Sequence, residues 1–534
     1  MNNTLIKTII AICAILCVIS PVKAQDVNKE ALLADYDYFI EQLESVHPDP
    51  YTDLGGKEIF YKKVKDLRDQ LSQMSDLDEG VLQREVTKLI SPLHDGHTRI
   101  GYYQEPHVYE NRWLPITFRQ LNDCIIVDVV APEYKELFGA RVMSIEGVTI
   151  DDICNRTGET LMAENHSGVV RKTVGMLRNN NSMSMLGIEY KNNNAHLGLK
   201  LANDRDTIVV IPLYDDSYFQ NHRDFIFTDR DQRLKMRNMQ YQEIDGKMVF
   251  RLSSVESRDN LAFEKNHGMN YEQEMKYAWQ TFFDDPCPAD PDSALARIPI
   301  ISHEFGAMLR QMRDHRIKDL IIDLRDNGGG WTPILYATLY QLFGDDYLKR
   351  DMETVYASKL SPLYLEKQGK TLEQFNEGGG NYKLGDFVYS HEGQGCNDLN
   401  DSIRDNIIHS YICADYNEID HLDGDAIYRP EHIYVVTNAG TFSAAFHYTF
   451  MLWKMGATVV GIPSGQAPNT FMEVTQFNLP NTGLECSVSN ALQQFLPADH
   501  PCAKTLWPTI TPTYEDYRKH GFNLDTEIQM IFEE

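Results

Sequence analysis

The apolar positions of this chain change period along its length, and each change marks a change of architecture. From 27 to about 93 they recur every three or four residues. Leu32, Leu33, Tyr36, Phe39, Ile40 and Leu43 form one stripe, and Leu82, Val86, Leu89 and Ile90 another. That spacing predicts amphipathic helices, the first broken at His47–Pro48. Between 106 and 210 the apolar runs shorten to strand length, at 114–118, 124–130 and 141–145. A tight turn at Glu146–Gly147, a strand at 148–150 and a short helix near 151–157 complete a small β-rich module. From 248 onward, strands at 248–252, 319–324, 433–437 and 458–462 alternate with helices at 299–315, 332–343 and 444–455, which predicts a parallel α/β layer. Residues 477–488 read as a hairpin turning at 481–483. The polar, tyrosine- and glycine-containing stretch 344–430 interrupts this alternation and is expected to cap the loop end of the sheet.

Two of the predicted strands end in loops that can carry chemistry. Strand 319–324 runs into Arg325, Asp326, Asn327, Gly328, Gly329 and Gly330, where consecutive glycines let bare backbone N–H groups approach a ligand. The loop matches neither phosphate-binding glycine pattern. Strand 433–437 passes through Asn438 and Gly440 to Ser443, which opens the next helix. A serine there is either an N-cap or a nucleophile beside the N–H groups of a helix N-terminus. A third loop holds His94 and His97 around Asp95–Gly96. It reads as half a metal site without its remaining ligands, as a structural turn, or as a rigid seat for a general base.

Charge and leader narrow the setting. The 534 residues carry 78 acidic and 50 basic side chains, a net charge of −28, with no basic run, which argues against nucleic-acid or anionic-membrane partners. Residues 1–24 combine Lys7, the apolar run 8–20 and a Val22–Lys23–Ala24 end, the pattern of a signal peptide cleaved after Ala24. The apolar run is too short to span a bilayer comfortably and no later segment offers a span, so a periplasmic or secreted location is expected. The nine cysteines form no C-x-x-C pair. An oxidising compartment would permit one or two disulfides, with Cys396–Cys413 and Cys486–Cys502 among the pairings.

Asp323-Leu324-Arg325-Asp326-Asn327-Gly328-Gly329-Gly330, Thr441-Phe442-Ser443-Ala444-Ala445 and Asp95-Gly96-His97-Thr98 occur in the order and context of a known family. Together with the stretch ending Gly139–Gly147, they make the chain resemble the S41 serine peptidases, the tail-specific or C-terminal-processing proteases. The likeness is greater to the tricorn-core and retinoid-binding-protein-like branch than to the lysine-dependent one. It covers most of the chain, apart from 258–298 and 344–430, which read as insertions.

The resemblance implies a multidomain α+β protein. After the leader (1–24) would come an N-terminal helical domain (25–105), a PDZ-like β module (106–210) and a ClpP/crotonase-like α/β core (240–343 and 431–534) with a cap insertion (344–430). It implies Ser443 as nucleophile, His97 as general base, and an oxyanion hole from the N–H of Ala444 with that of Gly328 or Gly329. Glu473 and Glu485 are the candidates to orient the base, and no metal or cofactor is implied. Substrates would be peptides or unfolded proteins. Gln466 falls where the lysine branch keeps its base, Gly96 stands where an orienting serine is absent, and no carboxylate-binding Gly-Leu-Gly-Phe loop is present. A catalytically inactive binding protein on the same fold is the alternative. An α/β-hydrolase esterase is disfavoured, because Ser443 lacks the G-x-S-x-G elbow.

Overall fold

The helical stripes fold as Lys29–Val46, Lys57–Gln73 and Glu79–Ile90. The computed structural model describes residues 28–101, 110–221, 234–267, 271–352, 355–377, 379–390, 395–411 and 423–533. The expected leader and Cys413 lie outside them. Asn28 and Asp78 cap the first and third helices by accepting the N–H of Ala31 and Val81. The first helix ends where His47, preceding Pro48, turns extended (ψ 134°). Its buried face, with Tyr36, Phe39 and Leu43, shares a core with Phe477, Cys486 and Val488 from far along the chain.

After the loop at 94–98 comes the short strand β1 (Arg99–Ile100). The next segment supplies β2 (Ile116–Gln120), β3 (Ile125–Val130), β4 (Arg141–Ile145), β5 (Val148–Thr149), β6 (Asn194–Lys200) and β7 (Asp206–Pro212). These form one antiparallel six-stranded sheet in the order β2-β3-β4-β6-β7, with β5 on β4. The helices Ile150–Thr160 and His166–Met176 stand between β5 and β6.

Strands β8 (Tyr241–Ile244), β9 (Lys247–Arg251) and β10 (Asp319–Asp323) open the α/β layer. β11 (Val355–Lys359) and β12 (Phe387–Ser390) follow, then β13 (His432–Thr437), β14 (Thr458–Gly461), β15 (Asn469–Asn478) and β16 (Glu485–Gln494). The layer has the order β14-β13-β10-β9-β8, parallel except for the hairpin β8–β9. Alternation along its strands buries both faces. Met248, Phe250, Leu320 and Ile322 meet helices from 258–343 and 444–454, while Val249, Ile321 and Val436 meet the C-terminal helix Thr526–Glu533.

Two expected insertions take part in the packed structure, and one expected cysteine pairing is absent. Residues 258–298 are part of this core, since Leu261, Met275 and Trp279 are packed in it. Residues 344–430, expected as a cap, supply β11 and β12, which extend a second sheet through β11–β16 pairing. In that sheet β16 pairs with β15 along one edge, and with β1 and β11 on the other. Cys486, buried, and Cys502, half-buried, are both free thiols and belong to different apolar clusters, so they form no disulfide. Among the described residues no helix is long and apolar enough to cross a membrane.

A buried cation ties the C-terminus to the glycine loop. Arg325, 3% exposed, pairs with Asp323, with Asp525 at 2.8 Å and with Glu527 at 2.9 Å, and donates to the Leu524 carbonyl. Removing one partner of such a cluster leaves buried charge uncompensated, at a cost of about 3–5 kcal/mol. Arg325→Met should therefore lower the urea midpoint of the core transition clearly; an unchanged midpoint would contradict this role.

Candidate active site

β10 and β13 run parallel in a register that sets Asp323 beside Val436, so their C-terminal loops arrive together. The loops are then bonded to each other. Phe442 N–H donates to the Asn327 carbonyl, Asp326 N–H to Asn438 Oδ1 and Thr441 Oγ1 to the Leu324 carbonyl, each at 2.9 Å. Gly329, at φ +110°, is the point of closest approach. A Cβ there would stand 2.7 Å from the Ser443 Cβ and 3.0 Å from the Ala444 nitrogen, in front of that N–H.

Ser443 immediately precedes the helix Ala444–Lys454, with φ 52° and ψ −126°, and its side chain makes no capping bond. The N-cap use of this serine is thereby set aside. Positive φ at a non-glycine residue costs about 1–3 kcal/mol and persists only where its surroundings hold it. Here Gln466 Oε1 accepts the Ser443 N–H, and Ser464 Oγ donates to the Thr441 carbonyl. Gln466, at the position expected of a lysine, is thus a buried neutral brace for the turn.

The Ala444 N–H occupies the first helical position, where the helix itself supplies no acceptor. Of the two glycine donors expected with it, Gly329 has its N–H donating to Asn327 Oδ1 at 2.9 Å. Gly328 is exposed, with open space beside it.

His97 is carried to these loops by β1. Arg99 pairs with Ser487 of β16, Ser487 Oγ donates to the His97 carbonyl at 2.8 Å, and Ser489 N–H donates to Thr98 Oγ1 at 3.0 Å. The ring lies 5.4 Å from that of Phe442, the residue before Ser443. Asp95, fully buried, stiffens the turn by accepting from His97 N–H at 2.8 Å and from Thr98 Oγ1. His47 Nε2 stands 3.3 Å from its other side. Burial pushes the Asp95 carboxyl up, but His47, His97 and Thr98 outweigh it and hold its pKa below the usual range. His94 points elsewhere, its Nδ1 3.3 Å from the Ala163 carbonyl. Among the described residues no group of three or more His, Cys, Asp or Glu could hold a metal ion.

The carboxylate in contact with His97 is Glu164. Glu485 pairs with Arg99 at 3.0 Å, and Glu473, in β15 with φ 58°, stands 3.6 Å from Lys367 and acts on His97 through its charge. Glu164, 4% exposed, has its Oε1 3.5 Å from His97 Nδ1. Its Oε2 accepts the Ala467 N–H at 2.9 Å. The residues after it clasp the loop that contains Gln466. Asn165 Nδ2 donates to the Ser464 carbonyl at 2.9 Å, and Ser167 Oγ to the Pro463 carbonyl at 2.6 Å. Gly96 makes room for the contact, since a Cβ there would fall 2.8 Å from Glu164 Oε1 and 2.9 Å from Phe442 Cζ.

Burial disfavours the His97 imidazolium, yet Glu164 first, then Asp95 and Glu473, outweigh it and raise the His97 pKa above its ordinary 6.5. A proton on Nδ1 facing Glu164 leaves the lone pair on Nε2. One helical turn after Ser443, His447 was also missed, although its i+4 spacing was readable. Its Nδ1 lies 3.1 Å from Thr332 Oγ1, and burial, reinforced by His97, pushes its pKa down to about 4. It is therefore a neutral wall at neutral pH.

Glu164→Gln removes the largest influence holding the His97 pKa up. An NMR titration of His97 should then show a lower pKa than in the parent protein. An unchanged value would mean that the 3.5 Å contact carries no electrostatic weight.

Comparison with known proteins follows the same lines. No curated protein matches the chain. Crystal structures of mature CPAF share the fold: one aligns with TM-score 0.55 at 15% identity, covering 95% of this chain and 98% of that one. CPAF complexed with lactacystin aligns with TM-score 0.54 at 15% identity, covering 92% and 96%. Residues 295–495, which span the glycine loop and Ser443, match the model of Peptidase family S41. The chain carries a peptidase family S41 domain and is a serine-type peptidase.

Proposed function

We propose that the chain is an endopeptidase that forms an acyl-enzyme on Ser443, with His97 as general base. His97 Nε2 takes the Ser443 Oγ proton as Oγ bonds to the scissile carbonyl carbon. The same proton passes to the leaving amine as the C–N bond breaks, and a water activated by His97 then releases the acyl group. The oxyanion of each tetrahedral intermediate would accept from the Ala444 and Gly328 N–H groups. Glu164 would orient the ring and offset the imidazolium charge. The reaction needs no metal or cofactor.

The observation that carries this reading is the strained backbone of Ser443. A serine that neither caps its helix nor relaxes its φ, with Gly329 packed against it and an open helix N-terminus beside it, is built to present Oγ. Substrates are peptides or unfolded segments, reaching Ser443 past the 344–430 segment. The 106–210 module is read as PDZ-like. With the leader cleaved after Ala24, the enzyme works in the periplasm or outside the cell.

Intact-mass labelling with a fluorophosphonate tests the reading without a known substrate. One adduct is expected on the parent protein and none on Ser443→Ala, with labelling of His97→Ala slowed by about 10³-fold or more. A folded parent protein that takes no adduct would favour the inactive binding protein instead.

A further inference from the structure

A second group of carboxylates stands beside the glycine loop, at Gly330. Val255 bridges Gly330: its N–H donates to the Gly329 carbonyl at 2.9 Å, and its carbonyl accepts from Trp331 at 2.8 Å. This pins Glu256 against the loop, so that a Cβ on Gly330 would fall 2.8 Å from Glu256 Oε1. Gly330, which Glu256 faces, is one Cα–Cα step, about 3.8 Å, beyond the glycine that touches Ser443.

The helix Arg258–Asn266 adds Asp259 and Glu264. Asn260 Nδ2 donates to Glu256 Oε2 at 2.6 Å, and Glu264 follows Asn260 by one helical turn. Asp259 and Glu264 are 6% and 7% exposed. Among the described residues, neither Asp259 oxygen nor Glu264 Oε2 has a hydrogen-bond partner. The charged groups facing the cluster are Glu274 and His303, and no described lysine or arginine pairs with it.

Burial, with the neighbouring acids, pushes Glu256 up to about 8 and Glu264 up to about 7. The Phe263 and Trp331 rings, 5.0 Å apart, give the wall an aromatic face directly after Gly330. Buried carboxyls without a cation are costly to ionise, and an arriving cation relieves that cost; an aromatic face adds to the attraction.

We infer that this wall is a subsite for a cationic substrate side chain, lysine or arginine, adjoining the scissile bond, with Glu256 and Glu264 determining specificity. The inference rests on Ser443 being the nucleophile. It gives the 258–298 segment a role in substrate choice as well as in the core.

The test uses fluorogenic peptides that differ only by lysine or norleucine at each position from two before to two after the scissile bond. At one position lysine should raise kcat/KM by about ten-fold or more, mainly through KM. The preference should grow from about pH 6 to 9, as groups titrating near 7 and 8 ionise. Glu256→Gln and Glu264→Gln should each reduce the lysine-to-norleucine ratio several-fold, with fluorophosphonate labelling reporting whether the serine remains assembled. Cleavage through Ser443 with no lysine preference, or a preference indifferent to both variants, would overturn the subsite alone. A parent protein that neither cleaves nor labels would overturn the nucleophile reading and the subsite with it.

Discussion

The parallel register of β10 and β13 is the constraint on which the site depends. Two strands that end at the same level deliver a glycine loop and a serine turn to one place, and their backbones are then bonded directly to each other. Everything specific to the site follows from that contact. Gly329 can approach because it lacks a Cβ, Ser443 is held at φ 52°, and the Ala444 N–H is left facing the gap. Arg325 secures the root of the same loop by drawing Asp525 and Glu527 onto it from the end of the chain.

Around that fixed pair the remaining groups come from distant segments. His97 arrives through β1 pairing with β16, and Glu164 through the clasp between residues 164–168 and the loop 463–467. The clasp does two jobs at once. It seats the carboxylate that faces His97, and it holds the loop whose Gln466 braces Ser443. The proposed base and nucleophile are therefore not positioned independently, since one loop lies between their supports. Electrostatics follow the same economy. Glu164, Asp95 and Glu473 favour the His97 imidazolium, while burial and the neighbouring His97 keep His447 neutral.

Much of this was legible in the sequence because it is local. The alternation in 319–324 and 433–437, the glycines that follow and the helix after Ser443 set the α/β core and its two loops within a residue or two. Contacts that depend on tertiary approach were not legible. Glu164 has no local signature: it precedes the cap of a helix, His166–Met176, that the reading of a β-rich module passed over. Glu473 and Glu485 were chosen from the family pattern, and in the fold they stand near Lys367 and Arg99. β11 and β12 escaped notice because they are four or five residues long and half-exposed, so their strand character depends on pairing. The commitment of the Gly329 N–H to Asn327 is likewise a detail of loop geometry that no spacing rule encodes.

The most direct measurement is rapid-quench mass spectrometry of a single turnover with an activated peptide ester, followed by mapping of any acyl group. The account predicts a transient acyl group on the peptide containing Ser443, with its build-up slowed when Glu164 is replaced by glutamine. Turnover with no acyl group at Ser443, or with the group on another residue, would contradict it.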